Sequence, residues 1–159
     1  LPLLIGYRCG PRVRQQVRTL LAIMIALSPL AGQAADINPQ RAKFHYQMHC
    51  EGCHTPDGTG AMSVPRMKDQ VGIFLETQAG RDYLVRVPGS AISALDNEQL
   101  AEVLNWILVE MGGDSVAADF EPYTANEVGD LRVEPLNEVE RYRSQLLLEI
   151  ADQRSRQAN

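Results

Sequence analysis

Acidic side chains are missing from the first 35 residues, although Arg8, Arg12, Arg14 and Arg18 stand there. A long hydrophobic run is missing too. The apolar stretch Leu20 to Leu27 is too short to span a bilayer. It is followed by Ser28-Pro29 and the small-residue segment Ala31 to Ala35. Basic segment, apolar segment and small-residue site, in that order, form a secretory signal. Cleavage is expected after Ala34 or Ala35, and an uncleaved anchor is the alternative. No adjacent arginine pair precedes the apolar run, which favours Sec-type export. After cleavage no membrane span is expected.

Other absences narrow the function. There is no glycine-rich phosphate loop and no nucleophile–base constellation, so a small-molecule active site has little to rest on. Cationic excess is also lacking. Loss of residues 1–35 removes four of the 15 Lys and Arg and none of the 20 Asp and Glu, leaving 11 basic against 20 acidic side chains, a net charge of −9. Nucleic acid is therefore not an expected partner. A partner with a basic docking surface is, because opposite potentials speed encounter.

Cysteine is scarce: Cys9 leaves with the signal, and only Cys50 and Cys53 remain. They sit in Cys50-Glu51-Gly52-Cys53-His54, and a C-x-x-C-H run reads as a site of c-type haem attachment. The two thiols add across the haem vinyl groups as thioethers, and the adjacent imidazole lies under the iron as proximal ligand. One covalent haem c is expected, and with it export to the periplasm. A thiol oxidoreductase pair would follow a strand and open a helix, whereas this pair closes a helical segment. A zinc site would need ligands beyond Cys50, Cys53 and His54, and only His45 and His49 are left to help.

The surrounding pattern is helical. Asn38-Pro39 is an N-cap followed by proline at the first helical position, opening a helix that runs to about Cys50. Short helices are expected over 69–78 and 80–87. Asp96 with Gln99 forms a capping box, and Leu100, Val103, Leu104, Ile107, Leu108 and Met111 make an apolar stripe over 97–111 that ends at Gly112-Gly113. Beyond it, residues 114–159 read as an extension: an anchored stretch at Phe120 to Tyr123, a short helix to about Arg132, and a final helix near Asn137 to Ile150. Its stripe, Val139, Tyr142, Leu146, Leu147 and Ile150, needs a surface to cover, and the chain's own domain is the expected one. The polar tail from Asp152 is expected to fray.

Over about residues 38–112 this pattern resembles the class I cytochromes c. Ala42, Tyr46 and Cys50 match the family's small residue, aromatic and haem cysteine at four-residue spacing, with alanine where glycine is usual. Leu104-Asn105-Trp106-Ile107 matches the aromatic of the last helix, which packs on the first. Ser63-Val64-Pro65-Arg66-Met67 resembles the tract whose proline carbonyl receives the proximal imidazole N–H, a role that falls on Pro65. The resemblance implies an all-α, cytochrome c-like bundle of short helices around one haem, with residues 36–113 as the haem domain. It implies one-electron transport, not enzymatic turnover, between a redox protein or periplasmic dehydrogenase and a downstream acceptor.

One element of the family pattern is absent. The distal ligand is usually a methionine on the loop before the last helix, and here Val87 to Leu95 holds neither Met nor His. Met62, Met67 and Met111 are weak candidates, so the distal ligand stays open. That gap leaves two alternatives: a haem-based gas-binding or sensor protein with an open sixth position, and a haem subunit whose extension clamps a larger dehydrogenase.

Overall fold

The computed structural model describes residues 37–158, which form helices and loops with no strand among them. The expected signal, residues 1–35, lies outside the described residues. Among these, no helix is long and apolar enough to cross a membrane.

Helix α1 (Pro39–His49) begins where its sequence dictates. The Asn38 side chain accepts the Arg41 N–H at 3.0 Å, and Pro39 fills a position whose N–H would go unused. Its buried residues, Ala42 and Tyr46, are four apart and so share one face. A single turn, α2 (Glu51–His54), follows directly. A long loop then leads to a 3-10 segment, Val71–Glu76, and to α3 (Gln78–Arg86), whose Gly80 N–H is capped by the Thr77 hydroxyl at 3.0 Å. The expected helix over 69–78 is thus a tighter and shorter turn. Pro88–Ala91 forms the one-turn α4.

Helix α5 (Asn97–Met111) is the centre of the molecule. Both arms of its capping box are made: Gln99 N–H to Asp96 Oδ1 at 2.8 Å and Asp96 N–H to Gln99 Oε1 at 3.1 Å. The sequence predicts one buried stripe, yet every residue from Leu100 to Leu108 is buried. The reason is that α1 packs on one side and the extension helix α6 (Ala125–Arg132) on another. Two polar positions are enclosed as a result, and each is satisfied.

Glu102 is one of them. Its carboxylate accepts Arg41 Nε at 2.7 Å, Arg41 Nη2 at 2.8 Å and the Asn38 N–H at 2.8 Å, tying the start of α1 to α5. Burial pushes its pKa up, but the hydrogen bonds from Arg41 and Asn38 outweigh burial, and the net position is below the ordinary 4.5. A carboxyl depressed on folding stabilises fully above its unfolded value, and that stabilisation is lost as pH falls through its folded one. Acid titrations of thermal stability are therefore expected to show a smaller loss below about pH 4.5 for Glu102→Gln than for the parent. Identical acid slopes would show that the cluster is not coupled to folding.

The final helix, α7 (Val139–Gln157), is longer than the sequence suggests. Its last turns carry Arg154 on the Glu76 carboxylate and an Arg156–Asp152 pair at 2.9 Å, and the tail from Asp152, expected to fray, is placed as helix through Gln157. Leu146 and Ile150 of α7 join Leu136, Phe74 and Tyr83 in a second, smaller core. There the Tyr83 and Tyr142 rings stack at 6.1 Å and those of Phe74 and Tyr83 lie 4.9 Å apart. The extension's apolar face is thus spent on the helices that precede it.

Candidate cofactor site

Helices α1 and α2 meet at Cys50, which ends α1 with its N–H on the Tyr46 carbonyl at 2.8 Å. The next turn closes with Cys53 and His54 N–H groups on the Cys50 carbonyl, at 3.1 and 3.0 Å. One helical turn therefore carries both cysteines and the histidine. Both thiols are free; Cys50 is half-buried and Cys53 exposed. Burial, and secondarily the neighbouring Cys53, push the Cys50 thiol up to about 11.

This turn is pinned to the core by Tyr46. Its hydroxyl donates to the Thr55 carbonyl at 2.5 Å, and its ring lies 5.3 Å from that of Trp106. The α1–α5 crossing thereby fixes where the Cys-Cys-His turn can be.

His54 is half-buried. Among the described residues its Nδ1 is the buried side-chain polar atom without a hydrogen-bond partner. Burial lowers the imidazole pKa, and the Pro65 backbone opposes that shift. The two observations agree if the Pro65 carbonyl is the group nearest to serving Nδ1 but sits outside regular hydrogen-bond geometry.

Glycine brings Pro65 there. Gly60 has φ +76° and donates its N–H to the His54 carbonyl at 3.1 Å. A Cβ on it would run into the Val64 carbonyl oxygen and come within 3.0 Å of the Pro65 oxygen. Only the bare backbone lets the 64–65 segment fold down beside His54. Asp57 tightens the same loop by accepting from Thr59 and Thr55, and those bonds hold its carboxyl at about 2.

The remaining candidates are dispersed. Met62 is fully exposed, and Met67 packs half-buried against the main core. Met111 is buried, and its sulfur fills the space beside Gly58. His45 and His49 lie 6.3 Å apart on α1, outside any cluster of potential metal ligands among the described residues. The segment Val87 to Leu95 contains α4 and a bend, with Ile92 exposed.

Two free thiols on one turn, a neighbouring imidazole with an orphaned buried nitrogen, and a carbonyl beside that nitrogen form a donor set that fits c-type haem. Sequence reasoning missed Gly60, Glu102, Asn105 and Arg132. For Gly60 the signal was its place in the Gly58-Thr59-Gly60 turn; the others depend on partners far along the chain.

No family model matches the chain. It is 33% identical over 138 aligned residues to a cytochrome c-552 of Thermus thermophilus, a match covering 75% of this chain and 88% of that protein. A second cytochrome c-552 from Thermus thermophilus is 32% identical over 114 residues, covering 60% of this chain and 86% of its own length.

Proposed function

From the premise that this chain belongs to the c-type cytochromes, electron carriers with covalent haem c, we propose that it works in the periplasm, passing one electron at a time between a redox enzyme and a downstream acceptor. The haem iron supplies the one-electron chemistry. Cys50 and Cys53 would hold the haem through thioethers, and His54 would supply the imidazole that binds its iron. The Pro65 carbonyl would accept a hydrogen bond from His54 Nδ1–H, which would fix ring orientation and tautomer.

The observation that carries this reading is the orphaned Nδ1 of His54 beside Pro65, on the same turn as two free thiols. Those residues bind and orient the group, and nothing in the set performs substrate chemistry. The acidic balance of residues 36–159 favours a partner with a basic rim. The apolar stripe of α7 is committed to its own domain, which supports a diffusing carrier over a clamped subunit.

A second reading, gas binding at an open sixth position, draws on one fact: Val87 to Leu95 offers no Met or His. Optical spectra of the exported protein, oxidised and reduced, with and without carbon monoxide, separate the two. A low-spin spectrum that is slow to respond to carbon monoxide is expected for the carrier. A high-spin spectrum that shifts at once with carbon monoxide would transfer the assignment to gas binding.

A further inference from the structure

Helix α6 ends on Arg132, and the guanidinium reaches back to the segment between α4 and α5. Nε donates to the Ala91 carbonyl at 3.0 Å, Nη2 to the Ser93 carbonyl at 2.9 Å, and Nη1 to the Leu95 carbonyl at 2.8 Å and Asn97 Oδ1 at 3.1 Å. None of the three carbonyls takes a backbone donor from the turns and loops described. A flat fork with five N–H donors suits alternate carbonyls of one bent strand of chain, and a lysine ammonium could not span them.

The segment it holds is the one before the last haem-domain helix, where the family places its distal ligand and where this chain has neither Met nor His. Ile92, between the pinned Ala91 and Ser93 carbonyls, is 72% exposed, an apolar side chain with little cover among the described residues.

We propose that Arg132 is a positioning residue for the sixth-ligand side of the haem, holding loop 91–95 closed there by carbonyl bonds in the absence of a Met or His on that loop. The proposal rests on the haem site assigned above, and it makes the extension part of that site. Ile92, exposed on that loop, would be the apolar side chain offered to the haem. With the carbonyls of Ala91, Ser93 and Leu95 fixed, the loop has little freedom to open. Small ligands reach that side slowly.

The test uses the haem-loaded full chain as Arg132→Gln and Arg132→Lys, with Arg81→Gln as control. Arg81 ties the extension to α3 through Glu127 and the Glu121 carbonyl and bonds none of the four acceptors of Arg132. Two readings are taken: amide exchange of 91–95 against 101–108, and carbon monoxide uptake by the reduced protein. In Arg132→Gln, loop exchange and carbon monoxide uptake are both expected to rise by about tenfold or more, with 101–108 unchanged. Arg132→Lys should fall between, and Arg81→Gln should move neither. Unchanged loop exchange, or an equal rise in Arg81→Gln, overturns the staple. Faster exchange with unchanged carbon monoxide uptake overturns its bearing on the haem. A parent protein whose haem is lost to acidified acetone would instead sink the haem reading itself, a result seen before any variant is made.

Discussion

Replacing Cys50 and Cys53 together by alanine is expected to leave no haem that survives extraction with acidified acetone. A thioether is a covalent bond and resists the acid that breaks iron–imidazole coordination, so retention measures the cysteines alone. Either single variant keeps one bond and should retain haem, with a shifted absorption band. The two singles are not equivalent. Cys53 is exposed, so its loss removes a bond and little else. Cys50 packs against the main core, so its loss also removes buried contact. His54→Ala complements the pair: haem that is attached is expected to stay so, with a spectrum changed by loss of the proposed iron-binding imidazole. Acid-stable haem in the double variant would refute the attachment site.

The second large effect is expected at Tyr123. Its side chain is fully buried, and its backbone is gripped by Asn105, whose Nδ2 donates to the Tyr123 carbonyl at 2.9 Å while Oδ1 accepts the Tyr123 N–H at 2.7 Å. Its hydroxyl donates to the Arg81 carbonyl at 2.7 Å, and the Arg81 guanidinium lies 4.1 Å over its ring. Burial pushes the phenol's pKa up, so it stays neutral and donates. Tyr123→Ala opens an aromatic-sized cavity and should cost about 3–5 kcal/mol in denaturant unfolding of the haem-loaded protein. Tyr123→Phe removes only the hydroxyl bond and should cost about 1 kcal/mol. A loss below about 1 kcal/mol for the alanine variant would mean that the extension hangs on the haem domain without sharing its stability.

Much of this molecule could be read from the chain because its signals are local. The haem motif occupies five consecutive residues. The caps of α1 and α5 lie within three positions of the groups they satisfy, and the Tyr46–Trp106 crossing is what the resemblance to the class I cytochromes c implies. What stayed hidden is long-range. Asn105 reads as a polar position on the wet side of a helix, and only Tyr123, 18 residues on, gives its amide a buried partner. Arg132 reads as an ordinary basic residue in a last helical turn until residues 37–41 positions earlier present their carbonyls. The true end of α7 depended on Glu76, 78 residues away from Arg154. Spacing along a chain encodes a helix face well, but not which loop a charged side chain will meet.

The enclosure of α5 bears on how such a protein can be inherited and rearranged. In the chain, Gly112-Gly113 invites a cut between a cytochrome and an appendage. In space the cut runs along the flank of the central helix. A gene fusion that carried off residues 36–113 alone would export a domain with a wet wound along α5. Asn105 would sit in it with both halves of its amide bereft. The stretch from Asn38 to Gln157 travels best as a single heirloom.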